Sequence, residues 1–192
     1  MTAIQIYKLD KTSIQHNTSK QVLAQLTQIE SELFVHDAWS AAQINSLLAQ
    51  PFNHIIYATD ELNQQLIGYC FYSHIFEDAE ILRIGTCLDY QQQGIASQLL
   101  TAMAQMCQVT GAERVLLEVR EDNYAALAFY QKHGFEQIAI RKNYYDNHDM
   151  TKTHALIMQR KFNAKLNAKW YATCLDNAFL SPVEAVAQLA RL

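Results

Sequence analysis

Between the runs AEILRIGTCL (residues 79–88) and RVLLEV (residues 114–119) the chain carries Ile95, Leu99, Ala102 and Met106 at helical spacing, and Gly111 follows where a left-handed residue would end a helix. A strand, a helix and a strand in that order cannot close as a hairpin, so the two strands must run parallel. Elsewhere the pattern is that of hairpins. HIIYATD and QLIGYCFYSHIF are β-rich runs joined by the polar ELNQQ, and the run at 79–88 continues them as a third strand. EQIAIRKNYY and THALIMQRKF form a last hairpin across DNHDMTK. One parallel crossover inside a series of hairpins predicts an α/β fold with a mixed, mostly antiparallel sheet.

The remaining elements cover that sheet. AIQIYKL alternates like a short strand, and TSKQVLAQLTQIESELFV places Val22, Leu26, Ile29 and Leu33 on one helical face behind a Thr18-x-x-Gln21 capping box. A second box, Ser40-x-x-Gln43, starts another helix after Trp39, and NYAALAFYQKHGF reads as a short helix closed by Gly134. With 192 residues, half of them hydrophobic, the chain can bury one full core. After Phe162 the pattern changes, and Ser181-Pro182-Val183-Glu184 is a strong helix start. The expected organisation is one domain over residues 1–162 and a helical extension over residues 163–192, whose large apolar side chains must pack, in the favoured reading against the domain.

A formal charge of −4 argues against direct nucleic-acid binding and suits a basic peptide partner. No run resembles a secretory signal or reaches the length of a membrane span, which points to a soluble cytoplasmic protein. Cys70, Cys87, Cys107 and Cys174 lie far apart, with no C-x-x-C pair and no histidine at ligand spacing. They read as buried reduced thiols, and no metal site is expected. His36 and His148 fall in loops and read as solvated or satisfied imidazoles.

Three features carry chemistry. In DYQQQGIASQLL, Gly94 and Ala96 stand at a turn before a helix, where backbone N–H groups and the helix dipole suit a phosphate; the alternative is a turn with an ordinary cap. Glu118 interrupts the apolar VLLEVR, so its carboxylate either faces a cleft or pairs with a neighbour such as Arg120. Asn123 and Tyr130, seven residues apart, would share one face of a short helix. Gly85 permits either a close backbone approach to a ligand or a β-bulge.

IGTCLDYQQQGIASQLL, LLEVREDNYAALAFYQKHGF, IRKNYYDNHDMTKTHALIM and HDAWS, in that setting and order, resemble the GCN5-related N-acetyltransferase family. The likeness is closer to its ribosomal-protein-alanine acetyltransferase branch and runs from residue 3 to 160. It implies a sheet with helices on both faces and a splayed strand pair holding acetyl-CoA. It implies that Gln92, Gln93, Gly94, Ile95, Ala96 and Ser97 bind the diphosphate, and that backbone groups of Ile84, Gly85 and Thr86 meet the acetyl-pantetheine end. Asn123 would bond the pantetheine amide. Glu118 would be the general base, its proton affinity raised by desolvation, and Tyr130 would protonate the departing thiolate. Trp39, Tyr144 and Tyr145 would frame a groove for the N-terminus of a basic ribosomal protein, an alanine by the resemblance. The loop lacks the Arg or Lys that the family carries there, which leaves the phosphates to the main chain. A small-molecule amine as acceptor, or a binding module with weak catalysis, are the rival readings.

Overall fold

The computed structural model describes residues 4–9, 17–146 and 150–162. The elements are β1 (Ile4–Lys8), α1 (Asn17–Leu33), α2 (Ala41–Ala49), β2 (Asn53–Asp60), β3 (Leu66–Ile75), β4 (Asp78–Thr86), α3 (Ile95–Val109), β5 (Arg114–Arg120), α4 (Tyr124–Lys132), β6 (Glu136–Asp146) and β7 (Lys152–Lys161). They build a seven-stranded sheet in the order β1-β2-β3-β4-β5-β7-β6. Only the β4–β5 neighbours are parallel, across the α3 crossover, as a strand–helix–strand unit requires.

The local signals operate as chemistry demands. Ser40 caps α2, its hydroxyl accepting from the Gln43 N–H at 3.3 Å while the Gln43 side chain accepts the Ser40 N–H at 2.9 Å. Ile95, Leu99, Ala102 and Met106 are all buried on one face of α3, and Gly111 (φ +100°) and Gly134 (φ +80°) turn the chain out of α3 and α4 in the left-handed region. Two apolar layers result. α3 and α4 cover one face of the sheet over Ile56, Cys70, Tyr72, Leu117 and Met158; α1 and α2 cover the other over Ile55, Tyr69 and Phe71.

The last hairpin docks by its second strand. β7 buries Ala155 and Met158 on opposite faces and takes the place beside β5, whereas β6, with Lys, Arg and Asn along an exposed course, forms the sheet edge. Cys70 and Cys107 are buried free thiols, and burial raises both; Cys87 is half-buried and is pushed up to about 11. The Thr18 side chain, His148, Cys174 and the expected helical extension over residues 163–192 lie outside the described residues.

One feature of the sheet prepares a site. β4 and β5 pair only from Asp78 to Ile81 against Arg114 to Leu117. A register shift against β3 leaves Leu82 as an extra residue in β4, and from there the strand follows β3 away from β5. Leu82–Thr86 and Glu118–Arg120 therefore diverge at the C-terminal ends of two parallel strands, where open α/β sheets hold ligands.

Candidate active site

α3 starts directly beyond this opening. The connecting loop is tight: Gln92 (φ +59°) and Gly94 (φ +85°) both adopt the left-handed conformation. The Gln91 amide donates to the Thr86 carbonyl at 3.3 Å and the Gln93 amide to the Asp89 carbonyl at 3.0 Å. Two of the three glutamines thus fasten the loop to itself, which explains amides where charges were absent. Gly94 gives α3 no side-chain cap, so the first-turn N–H groups have no helical partner and none from a cap. A Cβ on Gly94 would meet nothing within 4 Å. An uncapped helix start with open space before it fits a diphosphate. Ile95 is buried in the core, and the Ser97 hydroxyl lies 2.9 Å from His133 Nε2.

On the β4 side, Ile84 packs against the α3 core and the buried Thr86 hydroxyl has no hydrogen-bond partner among the described residues. Gly85 has a packing reason of its own. A Cβ there would come within 2.8 Å of Leu33 Cδ1 and 2.9 Å of the Tyr69 hydroxyl, so the close approach is to α1 and β3, and the register shift lies several residues earlier.

Asn123 and Tyr130 do not share a helical face. Asn123 precedes α4 as its N-cap, its side-chain oxygen accepting the Ala126 N–H at 3.1 Å, and it is exposed. Tyr130 is 7% exposed, edge-on to Phe129 and Phe135 with ring centroids 5.2 and 5.5 Å away. Burial pushes its phenol upward, so it holds its proton at neutral pH.

Glu118 sits on the divergent part of β5 with its side chain 24% exposed. Its partner is not Arg120, which bonds Asp122 at 2.8 Å, but Arg141 of β6, whose Nη1 is 2.5 Å from Glu118 Oε1. Glu80 of β4 is the neighbouring acid: burial raises its carboxyl, Glu118 raises it further, and Arg141 opposes them.

Tyr145 is the aromatic residue beside this carboxylate. Tyr144 and Tyr145 of β6 stack edge-to-face at 4.9 Å, and Tyr145 is raised by burial first, then by Glu118, with Asp37 of the α1–α2 loop adding to it. Trp39, in the same loop, packs edge-on to Phe71 at 5.1 Å and donates its backbone N–H to Glu30 Oε2 at 2.9 Å. Sequence reading missed the group that fixes this loop: Glu30, Tyr69 and Arg83. The available signal was a charged residue inside each of two apolar patterns, Glu30 on the α1 stripe and Arg83 in ILRIG. Among the described residues no group of His, Cys, Asp or Glu is arranged to hold a metal, and no helix is long and apolar enough to cross a membrane.

A cleft between diverging parallel strands, an uncapped helix start and a part-buried carboxylate on one of the strands suit group transfer from a phosphate-bearing donor, and comparison with known proteins agrees. Residues 23–135 match the family model for the acetyltransferase (GNAT) family. The N-alpha-acetyltransferase RimI of Mycobacterium tuberculosis is 36% identical over 123 residues, covering 62% of this chain and 75% of that protein. The crystal structure of the ribosomal-protein-S18-alanine N-acetyltransferase from Escherichia coli has a TM-score of 0.70 at 26% identity, covering 83% of this chain and 94% of that one. Arabidopsis thaliana NAA60 in complex with acetyl-CoA shares the fold, with a TM-score of 0.67 at 15% identity over 84% of this chain and all of the other (100%). With its cleft, its phosphate-type loop and a family match across both, the chain belongs to the GNAT acetyltransferase family.

Proposed function

We propose that this protein is an N-α-acetyltransferase that moves acetyl from acetyl-CoA to the N-terminal alanine of a basic small-subunit ribosomal protein, with residues 1–162 as the catalytic domain and residues 163–192 as an extension. The observation that carries it is Glu118, a part-buried carboxylate beside Tyr145 on the stretch of β5 that β4 leaves open. The alanine and the ribosomal protein rest on the Escherichia coli neighbour, which bears that substrate in its name and is matched over 94% of its length. Such work belongs in the cytoplasm.

Acetyl-CoA brings an acetyl group already activated as a thioester. The Gln92–Ser97 main chain receives its diphosphate, and Ile84, Gly85 and Thr86 offer backbone groups along the diverging edge of β4. Asn123 keeps its amide N–H groups for the pantetheine because its cap uses only the oxygen. Glu118 takes a proton from the acceptor ammonium, and the freed amine attacks the carbonyl carbon as the carbon–sulfur bond breaks; the surplus proton of the new amide nitrogen makes good the one that Tyr130 gives to sulfur. Tyr130, still protonated, donates to the departing sulfur. Trp39, Tyr144 and Tyr145 wall the groove for the first acceptor residues.

Mass spectrometry tests this on a peptide beginning with alanine, the same peptide with a blocked N-terminus and a free lysine, and spermidine. Acetyl appears on the free alanine only, and Glu118→Gln slows it about 10²- to 10⁴-fold. Transfer to spermidine instead would assign a small-molecule acceptor. Acetyl-CoA binding without turnover would assign a binding module.

A further inference from the structure

We infer that Arg141 is an internal competitor of the acceptor amine: its guanidinium and the acceptor's ammonium bind the same Glu118 carboxylate, one at a time. The inference rests on Glu118 as the general base and concerns what controls access to it. A carboxylate in a charge-assisted bond to a guanidinium has its lone pairs engaged, whereas a base needs one free to take a proton. The Arg141–Glu118 pair at 2.5 Å must therefore open before a proton can be taken from an acceptor.

The two partners differ in freedom. Glu118 projects from an inner strand with 24% of its side chain exposed; Arg141 stands on the edge strand with 52% exposed. Just past Arg141 the β6–β7 register breaks, between Arg141 and Tyr145, and Asn143 takes a left-handed φ of +55°. Such an irregularity re-aims side chains and releases the strand from its ladder. Arg141 also has somewhere to go. Its guanidinium is already 5.2 Å from the ring centroid of Tyr144, which is half exposed, so that face can hold the cation once the carboxylate is given up.

Every charged neighbour supports an exchange of cation for cation. Glu118 faces Glu80 from β4 and Arg141 and Tyr145 from β6, while Arg120 on its own strand is committed to Asp122. With Arg141 on the carboxylate the two acids are partly neutralised. With Arg141 on Tyr144 they present an excess of negative charge, which attracts an ammonium. A neutral ligand gains nothing from displacing the arginine, so the competition also selects for a cationic amine.

Steady-state kinetics of the full chain with the alanine-start peptide from pH 6 to 9, with acetyl-CoA binding by calorimetry, test this on Arg141→Met, Arg141→Gln and Arg141→Lys. Both neutral variants lower the peptide KM about 3- to 10-fold, and the acidic limb of kcat/KM moves to higher pH by about one pH unit, with the acetyl-CoA Kd unchanged. Arg141→Lys returns both toward wild type. A raised KM, or a lowered kcat with the limb unmoved, in the two neutral variants would overturn the competitor idea, because Arg141 would then be holding the acceptor or the strand. Glu118→Gln separates this from the parent reading: turnover near wild type there removes the base itself, whereas an inactive Glu118→Gln beside neutral variants with wild-type KM and pH limb removes only the competitor.

Discussion

Glu30 of α1 and Arg83 of β4 form an ion pair at 2.8 Å in which the Glu30 side chain is completely buried. Glu30 also accepts the Tyr69 phenol and the Trp39 backbone N–H, and Arg83 bonds the Asp37 carbonyl and carboxylate at 2.7 and 2.6 Å. The guanidinium lies 4.4 Å from the Phe34 ring centroid and 4.2 Å from that of Trp39. One arginine thus pins the loop that carries Trp39 through the Asp37 backbone, the Asp37 carboxylate and two rings.

Breaking that pair leaves a buried carboxylate uncompensated. Arg83→Met is expected to destabilise the fold by about 3–5 kcal/mol in urea unfolding. Adding Glu30→Gln should recover part of the loss, because the charge left behind is then removed. Where the single variant remains folded, the peptide KM rises while acetyl-CoA affinity stays near wild type, since the loop is proposed to border the acceptor groove and not the α3 start. Equal losses in both affinities would show a general collapse of the cleft.

The loop before α3 gives a second prediction from its backbone. Gly94 at φ +85° has room for a Cβ but the wrong conformation for one, so Gly94→Val costs about 1–2 kcal/mol of stability and also puts its side chain where the diphosphate would approach. Gln92 at φ +59° already bears that strain, so Gln92→Gly is expected to be near neutral in stability and in acetyl-CoA binding. Gln92→Arg should tighten acetyl-CoA binding at low salt and lose the gain at high salt. Calorimetry at two ionic strengths measures all three.

Gly85 separates packing from ligand approach. Gly85→Ala drives a methyl into Leu33 and the Tyr69 hydroxyl, and Tyr69 cannot retreat without loosening its bond to Glu30. Overpacking of this kind costs about 1–3 kcal/mol. The melting temperature of the variant should therefore fall with or without acetyl-CoA present. A variant with wild-type melting and weakened acetyl-CoA binding would return Gly85 to the ligand.

The contrast between Gly85 and Ile95 marks what the sequence could convey. Periodicity fixes which face of an element is apolar, so Ile95, Leu99, Ala102 and Met106 were legible, and so was the Ser40 box, whose partners are three residues apart. Partners distant in the chain leave no such trace. That Glu118 would pair with Arg141 rather than Arg120, that β7 would lie inside β6, and that Gly85 answers to Tyr69 all depend on how strands are ordered. The shared face of Asn123 and Tyr130 was misjudged for a local reason: the seven-residue spacing assumes both are helical, and an asparagine before a helix is more useful as its cap.

His133 ends α4 with its Nε2 2.9 Å from the Ser97 hydroxyl and its ring 4.7 Å from that of Phe129. Burial lowers its proton affinity first, and the charges of Arg160 and Lys132 lower it further. The sign follows from which state binds the proton more readily. The unfolded chain carries an ordinary imidazole near 6.5 and so takes up a proton before the folded one as pH falls. Stability from this group is complete above the ordinary imidazole value and declines as pH drops below it toward the lower folded value. His133→Gln, which keeps a polar group near Ser97 and cannot titrate, is therefore expected to flatten the change in melting temperature between pH 7.5 and pH 5 (about one to two units either side of the ordinary value). Parallel declines in the variant and the wild type would assign the acid sensitivity to other groups.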